Sequence, residues 1–245
     1  MPSAGLVVIG NEILSGKVVD TNSPFLAREL RALGVDLERI LTIPDEVELI
    51  AREVRTMSEA YDFVFTSGGI GPTHDDMTMD AIALAFDRKI EMNESMIERM
   101  QRASDDRGKG ELNDSQKKMA MIPEGAHLID SGDMWFPIVV VENVHIFPGI
   151  PELLQKKFES IREKFRGIPF QLRRIYVKHS ESDIAHDLNQ LLVDFPQLML
   201  GSYPRINERD YRVMLTLESR DDAYLQRALE SLLTRLPDDA IHEVD

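Results

Sequence analysis

Residues 66–76 read Thr66-Ser67-Gly68-Gly69-Ile70-Gly71-Pro72-Thr73-His74-Asp75-Asp76, and this stretch decides the fold. On its amino side, Asp62-Phe63-Val64-Phe65 is too short for a helix and suits a buried parallel strand. On its carboxyl side, Asp75 to Phe86 carries Met79, Ile82, Ala83 and Phe86 at three- and four-residue spacing, the period of one helix face. Between them, Gly68, Gly69 and Gly71 can take positive φ and let bare N–H groups approach an anion. The start of a helix adds its own unpaired donors and positive dipole end. Strand, glycine turn and helix together make a phosphate cradle, and the adjacent Asp75 and Asp76 add room for a cation. A simpler reading stays open, with Thr73 as N-cap and Asp76 completing a capping box. Neither common nucleotide motif is present: His74 stands where a dinucleotide fingerprint has its third glycine, and no Gly-Lys-Ser/Thr follows.

Working outward, Ala4 to Ile9 is an apolar strand that stops at Gly10-Asn11-Glu12. Polar groups there lie at the carboxyl edge of a sheet, where open α/β folds bind ligands, so Asn11, Glu12 and Asp20 join the candidates. Alternatively, Glu12 is solvated and Asp20-Thr21-Asn22 only caps the helix that follows. That helix has Ser23 as N-cap, Pro24 at its first position, Leu26, Leu30 and Leu33 inward, and Gly34 as its stop. Val35 to Ile43 reads as a strand and Asp45 to Ala60 as a helix, so strand and helix alternate three times within the first 90 residues. This alternation predicts βαβ units with right-handed crossovers and a parallel sheet. Val144 to Phe147 is another strand, and it runs through Pro148-Gly149-Ile150-Pro151-Glu152 into a helix expected to end at Phe165. A parallel sheet would bring this second strand-Gly-helix turn to the same edge as the first.

The stretch from 103 to 110 offers almost nothing to bury, and reads as a solvated loop or a lid. Trp135, the only tryptophan, reads as core packing or as a stacking surface. After Arg166-Gly167-Ile168-Pro169 the texture changes, which divides the chain into 1–168 and 169–245. The second part follows a βαββαβ, ferredoxin-like α+β plan. Its first helix is opened by a Ser180–Asp183 capping box. His179 and His186, seven apart, read as ordinary surface histidines.

Composition narrows the function. The chain has 245 residues, a formal net charge of -15 and no cysteine. This charge disfavours nucleic acid and anionic membranes as partners, and disulfides and thiolate metal sites are excluded. An acidic protein that handles phosphates needs a divalent cation or backbone donors to offset repulsion. No apolar run reaches transmembrane length and the amino terminus does not read as a signal peptide, so a cytoplasmic protein is expected.

Taken together, Gly10-Asn11-Glu12-Ile13-Leu14 with Asp20-Thr21-Asn22, Thr66 to Asp76, and Pro148-Gly149-Ile150-Pro151-Glu152 resemble the molybdopterin-binding domain family. The likeness is to the branch at the amino end of competence/damage-inducible protein A and, more closely, to the corresponding domain of eukaryotic FAD synthases. Gly201-Ser202-Tyr203-Pro204 extends the resemblance into the second part. It implies a doubly wound, mostly parallel α/β domain that cleaves the pyrophosphate of ADP-ribose or FAD with Mg, Mn or Co, often aided by potassium. Adenylyl transfer to molybdopterin or a related acceptor, and a non-catalytic nucleotide-binding module, are the alternatives. Carried onto this chain, it assigns Ser67, Gly68, Gly69, Gly71 and Thr73 to the phosphates and Asp75 and Asp76 to the metal and catalysis. Glu12 joins them in catalysis, while Asn11, Asp20, Pro148 and Gly149 line the same cleft. Where bacterial relatives have Asn-x-x-Gly-Thr-Ala-Pro-Gly, this chain reads Asp130 to Trp135, which leaves the sugar and base contacts open. The synthetase domain of FAD synthases has no counterpart in these residues, so FAD synthesis is not expected. The second part is expected to hold the protein as a homodimer or trimer.

Overall fold

The computed structural model describes residues 2–245 except Asp133, Trp135, Asn207 and Asp238, so the reading of Trp135 lies outside the described residues. Two compact units meet the eye, Met1–Gly167 and Ile168–Asp245.

The first unit begins with β1 (Ser3–Ile9), a short α1 (Asn11–Leu14), α2 (Asn22–Ala32), β2 (Asp36–Ile43), α3 (Val47–Ala60) and β3 (Phe63–Ser67). It continues with α4 (Thr78–Ala85), β4 (Ile90–Met92), α5 (Glu94–Asp105), α6 (Asp114–Lys118), β5 (Met121–Pro123) and β6 (His127–Ile129). β7 (Ile138–Val141), β8 (Val144–Phe147), α7 (Pro151–Ile161) and a 3-10 turn (Arg162–Phe165) complete it. The main sheet has the order β2-β1-β3-β8-β7-β6. Its β2, β1, β3 and β8 run parallel, and β7 and β6 turn antiparallel at one edge. A doubly wound, mostly parallel sheet is therefore what the alternation encodes.

The period of two along β1 shows how the layers form. Val7 and Ile9 face one core with Ile50, Val54 and Met57 of α3 and Ala81, Ile82 and Ala85 of α4. Ala4, Leu6 and Val8 face the other with Leu26 and Leu30 of α2 and Leu154, Phe158 and Ile161 of α7. Each fully buried Leu or Phe contributes about 1.5–3 kcal/mol of transfer free energy, so helices on both faces are fixed by the strand they share. β4 and β5 form a separate two-stranded ribbon.

Several expectations shift in detail. The second helix starts at Asn22, with Thr21 at the N-cap position, instead of at Pro24 behind a Ser23 cap, because the Asp20 carboxylate takes the N–H groups of Asn22 and Ser23 and so opens the helix earlier. The helix after the glycine turn starts at Thr78 rather than Asp75, because Thr73 and Asp76 close a local turn first. The predicted capping box is thus a turn outside the helix, whose N-cap position is Met77 with no side-chain cap bond. The stretch from 103 to 110 finishes α5, and Gly110 then folds back so that its carbonyl accepts from Gln101 and Ser104. It borders a separate groove with Met100, Leu112 and Gln116.

The second unit runs β9 (Gln171–Val177), α8 (Glu181–Asp194), β10 (Met199–Pro204), β11 (Val213–Ser219), α9 (Asp222–Arg235) and β12 (Ile241–Val244). Its antiparallel order β10-β11-β9-β12 is that of a ferredoxin-like βαββαβ fold. The Ser180–Asp183 capping box opens α8 as expected, and Ile184, Leu188 and Leu191 are its buried face. His179 precedes the helix and lies 3.8 Å from Asp239.

Candidate functional site

The parallel order β1, β3, β8 sets three turns side by side at the carboxyl edge, and glycine lets their backbones touch. Gly68 has φ +109, and a Cβ there would lie 2.2 Å from the Ile9 carbonyl oxygen at the end of β1. A Cβ on Gly149, after β8, would come within 3.3 Å of the Gly68 Cα. Ile9, Gly68 and Gly149 thus lock the three strand ends together without side chains. Thr78 then anchors α4 to the turn, its hydroxyl donating to the Gly68 carbonyl at 2.8 Å and its N–H to that of Gly69 at 3.0 Å.

Asn22 is the side chain that ties the arrangement. It is buried, and its amide donates to Ser67 Oγ at 2.9 Å and to the Gly149 carbonyl at 2.8 Å. One residue of α2 therefore joins the end of β3 to the entry of α7.

Above these turns opens a cleft of about 600 Å³. Gly68, Gly69, Ile70, Gly71 and Pro72 form its floor, with Pro148 and Gly149 beside them. Among the described lining residues Glu12 and Asp76 are the carboxylates and Lys157 the cation. Apolar wall comes from Val18, Met119, Met134, Phe136, Ile150 and Leu153. Volume and mixture match those of sites for small ligands.

The predicted residues separate into three groups. Glu12, Gly68, Gly69, Gly71, Asp76, Pro148 and Gly149 meet in the cleft. Asn11 and Asp75 instead line a neighbouring recess with Glu12 and Asp45. Adjacent in sequence, the two aspartates part: half-buried Asp76 reaches the cleft and exposed Asp75 faces the recess. The last group is held in the framework. Ser67 is buried against Asn22. Asp20 accepts from the N–H groups of Asn22 and Ser23 at 3.0 Å, a helix-entry cap, as its simpler reading has it. Thr73 gives both its N–H and its hydroxyl to Asp76, at 2.8 and 2.5 Å.

Donor bookkeeping refines the cradle as well. The Gly68 N–H bonds to the Phe147 carbonyl at 3.1 Å, so this glycine shapes the floor instead of offering a donor. Within the glycine floor, Gly69, Ile70 and Gly71 have N–H groups that donate to no other described group. Lys118 of α6 braces the far end of the turn, its ammonium on the Thr73 carbonyl at 2.6 Å.

Among the described residues no group of three or more His, Cys, Asp or Glu forms a preformed metal cage. Glu12 and Asp76 nonetheless share the cleft, and a Mg-type ion takes one or two carboxylates and completes its shell with water and phosphate oxygens. The donor set fits an ion of that kind, brought with a phosphate ligand.

Lys157 escaped the sequence reading. It is only 3% exposed and sits over the Phe136 ring at 5.0 Å, with its ammonium bonded to the Phe136 carbonyl. Burial lowers its pKa from 10.5 to about 8. A signal was available, since Leu154, Lys157, Phe158 and Ile161 fall on the i, i+3, i+4, i+7 stripe that α7 turns inward.

A doubly wound α/β sheet whose parallel strands deliver glycine turns to one cleft defines a ligand-binding domain of the open-sheet type. More particularly, the chain belongs to the family described as probable molybdopterin binding domain, whose model matches residues 5–167. Residues 169–245 match the middle domain of FAD synthase. A protein of Archaeoglobus fulgidus is 35% identical over 95% of this chain and 97% of its own length. A probable FAD synthase of Caenorhabditis briggsae is 32% identical over 94% of this chain, which spans 49% of that relative. The crystal structure of CinA, with unknown function, from Thermoplasma acidophilum superposes with a TM-score of 0.60 at 27% identity, over 67% of this chain and 99% of that one. Among the described residues no helix is long and apolar enough to cross a membrane.

Proposed function

We propose that the chain is a metal-dependent nucleotide pyrophosphatase that hydrolyses ADP-ribose or FAD to AMP and a second phosphate ester. The observation that carries the proposal is the meeting of two chemistries in one cleft. Unpaired N–H groups at Gly69, Ile70 and Gly71 suit phosphate oxygens, and Glu12 and Asp76 suit a cation that travels with them. The relatives named FAD synthase support an enzyme that handles nucleotides, although this chain spans about half of their length.

In this reading the glycine floor orients the diphosphate. The apolar wall of Ile150, Leu153, Phe136 and Met119 holds the ring or sugar and keeps bulk water from that side. Glu12 and Asp76 hold the cation, which when bound neutralises phosphate charge and activates a water. Hydrolysis adds the water oxygen to one phosphorus and breaks the bridging P–O bond, whose electron pair leaves with the second phosphate ester.

Mass analysis of products from ADP-ribose or FAD with Mg, Mn or Co tests the proposal. AMP formed without an acceptor, and lost in Asp76→Asn, is the expected result. Pyrophosphate released from ATP only when a pterin acceptor is supplied would replace hydrolysis by adenylyl transfer. Binding without any product would leave a nucleotide-binding module.

A further inference from the structure

Lys157 has no role in the scheme above, and its setting is unusual for a lysine. An ammonium withdrawn from water is costly unless an anion or several acceptors compensate it. Lys157 is 3% exposed, and among the described residues no carboxylate pairs with it. Its partners are the Phe136 carbonyl, the Ser131 hydroxyl at 3.4 Å and the face of the Phe136 ring. Among the described residues, one carbonyl, one long contact and a ring face are what compensate an ammonium with three N–H donors. The side chain borders the cleft, and among the described lining residues it is the only cation.

Position adds to this. α7 enters at Pro151, beside the Gly149 turn, and Lys157 lies six residues further on, a rise of about 9 Å along the helix. Helix side chains lean back toward the amino end, which brings the ammonium toward the turn. Floor and cation therefore address the cleft from two directions. In a protein with net charge -15, whose cleft already carries Glu12 and Asp76, this cation offsets repulsion of an anionic ligand.

We propose that Lys157 is the cleft's anion-recognition residue, taking the phosphate that lies beyond the one cradled by Gly69–Gly71 and so selecting nucleoside diphosphate-type ligands. The ligand's phosphate oxygen replaces part of the incomplete shell around the ammonium. The assignment rests on the nucleotide reading of the cleft and asks nothing of turnover.

Titration calorimetry of the full chain with ADP and with adenosine, on wild type and Lys157→Met, tests it. ADP affinity should fall about tenfold or more, as for loss of a charge-assisted bond, while adenosine affinity stays within about twofold. Lys157→Gln, which keeps a donor for the Phe136 carbonyl, serves if the methionine variant does not fold. Equal weakening of ADP and adenosine, or no change in either, overturns the assignment and leaves the nucleotide reading standing. Failure of the wild type to bind ADP or adenosine overturns both.

Discussion

Replacing Asn22 by alanine tests whether one amide holds the candidate site together. In the native protein it donates to Ser67 Oγ at 2.9 Å and to the Gly149 carbonyl at 2.8 Å. A typical hydrogen bond contributes about 1 kcal/mol net, and a buried partner left without one adds its desolvation cost. Ser67 is 2% exposed and would be left in that state, whereas the exposed Gly149 turn can recruit water. The Asn22 Oδ1 is buried with no hydrogen bond among the described residues, so its removal gives a little back. The balance is a loss of about 2 kcal/mol, read as a lower urea midpoint at unchanged slope. The larger consequence is functional. Because the amide bridges β3 to the entry of α7, its loss lets the floor and the Pro148-Gly149 turn move apart. ADP binding by calorimetry should therefore weaken by more than in a core truncation of equal cost, such as Val54→Ala, a residue of α3 outside the cleft lining. Equal ADP affinity in the two variants, or a stability change below about 0.5 kcal/mol, would refute the reasoning.

Three further outcomes follow from the geometry. Gly68→Ala should cost about 2–5 kcal/mol in urea unfolding, because φ +109 strains an L-residue and the new Cβ meets the Ile9 carbonyl at 2.2 Å; a loss under about 1 kcal/mol would show that the strand ends are not interlocked. Asp76→Asn should lower pyrophosphatase turnover about a hundredfold or more and Asp75→Asn only a few-fold, since only Asp76 borders the cleft; the reverse order would move the chemistry to the recess with Asp45. Burial lowers the pKa of His145 from 6.5 to about 4, so the unfolded chain takes up a proton between these values while the folded chain does not. Stability from this group is complete above pH 6.5 and falls as the pH drops toward 4, by about 3 kcal/mol in all. His145→Phe should flatten the unfolding free energy over that window relative to wild type, and parallel curves would exclude His145 as the source.

The sheet was legible because its signals are local. The period of two in β1, the apolar stripes of α2 and α3, and the glycine after β3 each report their own surroundings, and a parallel sheet then obliges the strand ends to meet. Which groups are spent on the framework was not legible. The Gly68 N–H looks like a phosphate donor until β8 lies alongside and supplies the Phe147 carbonyl. Asp75 and Asp76 look like a pair because sequence gives adjacency but not direction, and the Thr73 turn sends them to different hollows. Asp20 faces the same ambiguity, for a carboxylate that caps a helix and one that lines a cleft share one sequence position. Lys157 stood on an apolar stripe, but nothing local says that the inward face of α7 borders a cleft as well as a core.

The contact of Gly149 on Gly68, and of Gly68 on Ile9, also decides where this scaffold can be retargeted. At Gly68 and Gly149 the floor is touching main chain with no side chain to exchange, and a Cβ on Gly68 collides with the Ile9 carbonyl. The walls are different: Met119, Phe136, Leu153 and Lys157 line the cleft and carry side chains that can be exchanged. A library aimed at a new ligand should hold those glycines constant and begin at Met119 and Leu153, since Phe136 belongs to the core and Lys157 is buried.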